Sequence, residues 1–163
     1  MSNLPTQSST SDSNYFQFEA DFVGSLQCIP MQVRMKLDNC GVKLKLSHWN
    51  QFSHQERQSL VAMPCETEAE RQTYQKNLQD LVVLHTGQPA KELAVDPAPA
   101  WLDSQNIPDT VAAQAHLHQV NLTVPQWSSL TSAQRFALIK LSRPSHENKN
   151  FIPALKEFKI LPG

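Results

Sequence analysis

The chain has 163 residues with 14 basic and 15 acidic side chains, which give it a formal net charge of −1. This length suits a single domain, and the near-neutral charge excludes a strong overall field of the kind that attracts nucleic acid or an anionic membrane. Glycine occurs only four times, so the chain lacks the glycine-rich loops that cradle phosphate in nucleotide- and dinucleotide-binding enzymes.

Three features of the sequence indicate the cellular compartment of the protein. No apolar run approaches the ~20 residues that a membrane helix requires, so we expect no membrane span. The first residues carry neither a basic cluster nor an apolar stretch, and we expect no secretory signal. Three cysteines without close pairing are typical of a reducing environment. We therefore expect a cytoplasmic protein.

The N-terminal region changes character at residue 15. Residues 1–14 are polar with few apolar side chains, which predicts a disordered tail. Four aromatic residues then follow within eight positions: Tyr15, Phe16, Phe18 and Phe22. This cluster predicts either a strip packed over the core or an exposed strip that docks a partner.

A helix is predicted to follow Pro30 and to end at Gly41, because proline suits the first turn of a helix and glycine its C-terminal cap. The next five residues, 42–46, alternate apolar and basic side chains. This alternation predicts either a short strand or a loop whose alternate side chains reach the core. The buried stripe of the helix would comprise Val33, Leu37 and Cys40.

Three later helix starts carry capping boxes, in which a hydroxyl and an acidic or amide side chain three positions later satisfy free backbone N–H groups. They begin at Ser53, Thr67 and Thr131. The second helix is predicted to reach about residue 85, with Gly87 closing it. The proline-rich connector 88–106 predicts one helical turn near 90–94. Further helices are predicted near 109–119, 132–141 and 151–158, and Pro153 must lie in the first turn of the last helix or kink it.

The segment from Cys28 to Leu60 recurs 78 residues later. Without a gap, the two copies share eight identities over 32 aligned positions, which indicates an internal duplication. The shared positions are expected to form the scaffold. In the first copy the scaffold residues are Pro30, Val33, Trp49, Arg57 and Leu60, and in the second Pro108, Val111, Trp127, Arg135 and Leu138.

These elements predict a mostly α fold. Residues 15–163 would form a single compact helical domain of two similar helix–extended–helix halves: copy one at 15–87, a connector at 88–106, and copy two at 107–163. A small two-stranded element between Val42–Leu46 and Val120–Val124 is one way of joining the halves.

The charges that the copies do not share are candidates for partner binding. They are Arg34, Lys36, Asp38, Lys43 and Lys45. At the four basic positions the second copy has Ala112, Gln114, Asn121 and Thr123. The alternative is that these residues lie on an ordinary solvent-exposed face and that their charges have no binding role.

The cysteines are the second group of candidates. Cys28, Cys40 and Cys65 are candidate thiol, metal or cluster contacts, although their spacing matches no zinc-ribbon or ferredoxin motif. The alternative is that they pack as small apolar side chains. Glu66 and Glu68 predict a raised pKa for the neighbouring Cys65, which argues against a nucleophile there. We predict no metal and no catalytic residue.

One long ungapped stretch has an unusual combination of residues. It comprises Phe16, Phe18, Glu19, Asp21, Phe22, Val23, Ser25, Leu26, Cys28, Ile29, Pro30, Met31, Val33, Arg34, Lys36, Leu37, Asp38, Cys40 and Gly41, followed by Trp49, Arg57, Leu60, Pro64 and Cys65. In this pattern the chain resembles the nitrate-reductase-associated protein family, whose members are known chiefly from cyanobacteria.

The resemblance implies a cytoplasmic accessory protein that is required for active assimilatory nitrate reductase and is not itself an enzyme. Its partner would be the reductase polypeptide, and its role would be assembly or the insertion of a cofactor or cluster. Two other functions stay open from the residues alone. One is a metal or iron–sulfur carrier that uses the three cysteines. The other is a DNA-binding regulator, because each copy has a pair of helices after a turn, similar to a helix-turn-helix unit. The near-neutral net charge disfavours this function.

Overall fold

The computed structural model describes residues 15–19 and 28–162. The described part is mostly helical, with eight α-helices and a small two-stranded antiparallel sheet, which confirms the predicted fold class. The predicted tail and Phe22 lie outside the described residues. None of the described helices combines the length and apolar character needed to cross a bilayer.

The chain divides into two compact units, Met1–Asp96 and Pro97–Gly163. Their boundary falls inside the predicted connector, 88–106. The described elements of the first unit are a 3-10 helix at Gln17–Glu19, helices α1 (Met31–Cys40), α2 (Leu46–Gln51), α3 (His54–Ala62) and α4 (Glu68–Thr86), and strands β1 (Val42–Lys43) and β2 (Lys91–Glu92). The described elements of the second unit are a 3-10 helix at Ala100–Leu102, α5 (Asp109–Leu117), α6 (Val124–Ser128), α7 (Ser132–Leu141), a 3-10 helix at His146–Asn150, and α8 (Phe151–Glu157).

The long helix α4 organises the core of the first unit. Tyr74, Leu78 and Val82 recur along one face of α4 and are fully buried, as expected for the apolar stripe of an amphipathic helix. The Tyr74 hydroxyl donates a hydrogen bond of 2.7 Å to the carbonyl of Leu60. This bond satisfies the polar end of a large buried aromatic side chain and connects α4 to α3.

Helix α7 contributes the largest share of buried residues in the second unit. Six of its ten residues are buried, including Phe136, Leu138 and Leu141, so the helix is apolar on most of its surface. The ring of Trp101 meets that of Phe136 edge to face, with centroids 5.0 Å apart. The first 3-10 helix of the unit therefore packs directly on α7.

Both glycine caps form as the sequence predicts. Gly41 and Gly87 follow α1 and α4 with φ angles of 74° and 84°, in the left-handed region that glycine adopts most readily. At Gly41 there is a second reason for glycine, because a Cβ atom would lie 2.7 Å from the carbonyl oxygen of Leu93.

The sheet has a different partner from the predicted one. Strand β1 pairs antiparallel with β2, with Val42 opposite Glu92 and Lys43 opposite Lys91, so the sheet lies within the first unit. The predicted pairing with Val120–Val124 is wrong, because Val124 begins α6. The predicted helical turn at 90–94 is also wrong. These residues instead run beside β1, where Leu93 N–H donates to the Gly41 carbonyl at 2.7 Å.

The two copies place their helices at corresponding positions. Helices α1, α2 and α3 begin at Met31, Leu46 and His54, and α5, α6 and α7 each begin 78 residues later. Superposition of the two halves as three-dimensional units stays a prediction.

All three predicted capping boxes are present. The hydroxyls of Ser53, Thr67 and Thr131 each accept a hydrogen bond from the backbone N–H three residues later. The Glu or Gln side chain at that later position accepts a hydrogen bond from the backbone N–H of the Ser or Thr. These backbone hydrogen bonds lower the pKa of Glu56 and Glu70. A carboxylate with a depressed pKa stabilises the fold above its unfolded pKa, and this stabilisation is lost as the pH falls through the folded value.

We therefore expect acid to weaken the first unit through its capping carboxylates. The melting temperature should fall between about pH 5 and about pH 3, and it should fall less in the Glu56→Gln/Glu70→Gln variant. Glutamine retains the accepting oxygen but does not titrate in this range. Thermal melts across this range measure the difference, and identical acid slopes for the two proteins would contradict the assignment.

Candidate functional site

Two of the predicted partner-binding lysines lie on the small sheet. Lys43 is in β1, Lys45 follows it, and both are exposed, as is Lys91 in β2. Lys43 and Lys91 are directly opposite each other. Side chains of opposed residues project from the same face of an antiparallel pair, where like charges repel. We call Lys43, Lys45 and Lys91 the basic edge.

Lys91 was missed by the sequence analysis. It lies in the connector, and no local pattern marks it as the neighbour of Lys43. Only the pairing of β1 with β2 brings the two lysines together. Among the described residues, no carboxylate forms an ion pair with any member of the basic edge.

The charged residues of α1 are placed differently. Arg34 and Asp38 are half-buried, and both take part in interactions within the protein. Lys36 is directed inward. Its ammonium donates to the carbonyls of Val61 and Met63, each at 2.6 Å. These carbonyls lie at the C-terminal end of α3, where a cation also favours the helix dipole.

Burial lowers the pKa of Lys36. Its ammonium lies 5.8 Å from the centroid of the Tyr74 ring, within the distance for a cation–π contact. Lys36 therefore connects α1 to the end of α3 and to α4. Its contacts give it a structural role, whereas the sequence alone predicts a surface charge.

Two of the three cysteines lie together in the first unit. Cys40 ends α1 and Cys65 precedes α4, and both are buried in the same apolar cluster. The Cys65 thiol donates to the Lys36 carbonyl with a sulfur–oxygen distance of 3.5 Å. The Cys40 thiol is 3.8 Å from the Leu37 carbonyl, and the two thiols are close enough to shift each other's pKa.

The two thiols have opposite acidities. The ability of the Cys40 thiol to donate a hydrogen bond to the Cys65 thiolate lowers the pKa of Cys65, and the positive charges of Lys36 and Arg71 lower it further. The hydrogen bond to Cys65 raises the pKa of Cys40, and burial raises it further. The predicted raised pKa of Cys65 is therefore wrong, because Cys40 has the largest effect on this pKa and two cations, Lys36 and Arg71, lower it further.

Cys28 is half-exposed. Within residues 15–19 and 28–162, no three His, Cys, Asp or Glu side chains are grouped so that they could hold a metal ion. The three cysteines therefore do not converge on one site, and only Cys40 and Cys65 are neighbours.

The two arginines of the predicted scaffold bind backbone carbonyls. Arg57 donates to the carbonyls of Trp49 and Asn50, both at 3.0 Å. Arg135 donates to Trp127 at 3.3 Å and to Leu130 at 2.7 Å. Each arginine thus anchors the end of the short helix that carries the fully buried tryptophan of its copy.

A groove of about 460 Å³ runs between α3 and α4. Its two acidic lining residues each have a basic partner. Glu56 lies 2.8 Å from the Nε2 atom of His85, and Asp80 lies 2.9 Å from the ammonium of Lys76. These pairings occupy the carboxylates that a ligand in the groove would otherwise meet.

A comparison with models of protein families gives a match. The model of a family described as conserved nitrate reductase-associated protein matches residues 15–158. No curated protein and no solved structure matches the chain.

Proposed function

The chain belongs to the conserved nitrate reductase-associated protein family, and from this premise we propose that it is an accessory protein required for active assimilatory nitrate reductase. It acts by binding the reductase polypeptide during assembly or during the insertion of a cofactor or cluster. The observation that carries the proposal is a family match over nearly the whole chain. The chemistry of nitrate reduction belongs to the reductase.

The basic edge is the surface that we assign to this contact. Lys43 and Lys91 repel each other across the two strands, and an acidic segment of the reductase would relieve that repulsion. Lys45 extends the positive charge beyond the sheet. Arg34 and Asp38 on α1 are further candidates for the same contact. Lys36 is not assigned to this contact, because its ammonium bonds to carbonyls at the end of α3.

Charge reversal at the basic edge tests the assignment. We expect the Lys43→Glu/Lys45→Glu variant to lose co-purification with the reductase by about 10-fold or more, because like charges facing each other across an interface cost several kcal/mol. The readout is the amount of reductase recovered with the tagged protein from cells grown on nitrate, together with cellular nitrate reduction.

The matched control is Lys149→Glu/Lys156→Glu, which changes the net charge equally at two exposed lysines of the second unit. It should co-purify with the reductase as the wild type does. A folded Lys43→Glu/Lys45→Glu variant that recovers as much reductase as the wild type would remove the basic edge from the proposal. Lys36 is unsuitable for this test because its replacement would also disturb α3.

A further inference from the structure

The thiols of Cys40 and Cys65 are fixed at the C-terminal end of α1. They lie against consecutive carbonyls of that helix, those of Leu37 and Lys36. Consecutive carbonyl oxygens of an α-helix are only a few ångströms apart. The two sulfurs are therefore neighbours by geometry, although 25 residues separate them in the sequence.

The surrounding backbone holds this arrangement. The Asn39 side-chain amide donates to the Cys65 carbonyl at 3.4 Å, and the Gln75 amide donates to the Cys40 carbonyl at 3.0 Å. Both cysteine backbones are thus tied to side chains of α1 or α4. A disulfide needs its sulfurs about 2.05 Å apart, so its formation requires both side chains to turn from the helix carbonyls that they contact toward each other.

We propose that Cys40 and Cys65 are a redox modification site that forms a reversible intramolecular disulfide. The oxidant is hydrogen peroxide or another small hydroperoxide. Both thiols are buried, so the oxidant enters by local opening of the loop between α3 and α4, where Pro64 and Glu66 are exposed.

The oxidation proceeds in two balanced steps. The Cys65 thiolate attacks one peroxide oxygen, so that a sulfur–oxygen bond forms, the oxygen–oxygen bond breaks, and hydroxide leaves and is protonated to water. The Cys40 sulfur then attacks Cys65, the sulfur–sulfur bond forms, and the sulfenic oxygen leaves as water with the Cys40 proton. A cellular dithiol reverses the change by two exchange steps and becomes a disulfide itself.

The charges and burial around the two cysteines give them different roles in this reaction. Cys40, Lys36 and Arg71 favour the thiolate of Cys65, whereas burial and Glu70 oppose it. Cys40 keeps its proton while Cys65 is ionised, because a second negative charge beside the first is unfavourable. Cys65 is therefore the attacking thiol, and Cys40 resolves the sulfenic acid.

The first test treats the folded Cys28→Ser protein with hydrogen peroxide, then unfolds it and measures free thiols and peptide masses. We expect both remaining thiols to be lost, a mass decrease of about 2 Da with Cys40 and Cys65 linked, and full recovery with dithiothreitol. The oxidised protein should also melt several degrees higher, since the bond closes a loop in the unfolded chain.

Two variants test the roles assigned to Cys65 and Cys40, and circular dichroism confirms that each variant is folded. In Cys28→Ser/Cys40→Ala, Cys65 should accumulate as a sulfenic acid that dimedone traps. In Cys28→Ser/Cys65→Ala, Cys40 should remain a free thiol under the same treatment. Three results would overturn the proposal: both thiols surviving treatment, oxidation of Cys65 to the sulfinic acid without linkage, or linkage between chains only.

Discussion

Replacing Arg135 by methionine should lower the free energy of unfolding by about 3–5 kcal/mol, because three carbonyls in a buried site lose a charged donor, although that of Trp127 keeps the N–H of Leu130. The arginine is only 8% exposed. Its guanidinium donates to the carbonyls of Trp101 at 2.8 Å, Leu130 at 2.7 Å and Trp127 at 3.3 Å. Denaturant unfolding followed by circular dichroism measures the change.

The duplicated sequence supplies the matched control, Arg57→Met. Arg57 is half-buried, and among the described residues it donates to the carbonyls of Trp49 and Asn50. Water can replace the guanidinium more easily there, so we expect a loss of only about 1–2 kcal/mol. Equal losses at Arg57 and Arg135 would contradict the view that burial of the carbonyls determines the cost.

Replacing Lys36 by methionine should cost about 2–3 kcal/mol, since two charge-assisted hydrogen bonds to the end of α3 disappear. Methionine retains most of the aliphatic stem, so the change isolates the ammonium. Its bonds to Val61 and Met63 are both 2.6 Å long, and burial restricts the access of replacement water. Thermal and denaturant unfolding measure the loss.

The control for Lys36 is Lys43→Met, which removes an exposed ammonium of the same chemical type. It should change the unfolding free energy by less than about 0.5 kcal/mol. If Lys36→Met were as stable as Lys43→Met, the inward ammonium would have no structural role. Lys36 would then again be a candidate for partner binding, as the sequence predicts.

The helix boundaries could be predicted because their determinants are local. Each capping box needs only four consecutive residues, and those at Ser53, Thr67 and Thr131 formed as expected. Gly41 and Gly87 likewise ended their helices. Pro153 lies in the first turn of α8, where its missing N–H removes no hydrogen bond of the helix.

The short helices and the sheet could not be predicted in this way. Helix α2 has only six residues, too few to display helical periodicity, and it begins at Leu46, where the alternating pattern ends. The partner of β1 is fixed by contacts between distant residues. Lys91 and Glu92 carry no strand signal of their own, since both residue types are depleted in strands.

The exposure and the contacts of the candidate residues could be predicted only in part. The exposed position of Lys43 and Lys45 follows from their alternation with apolar neighbours. The inward direction of Lys36 depends on carbonyls 25 and 27 residues away. The lowered pKa of Cys65 depends on Cys40, Lys36 and Arg71 together, and no local pattern contains that combination.

The most direct test of the proposed function uses purified components. The protein is mixed with reductase polypeptide purified without its cofactors, and size-exclusion chromatography with light scattering measures the mass of each species. We expect a complex of defined stoichiometry that the Lys43→Glu/Lys45→Glu variant fails to form. Separate elution of the two wild-type proteins at about 50 μM each would contradict binding to the reductase polypeptide.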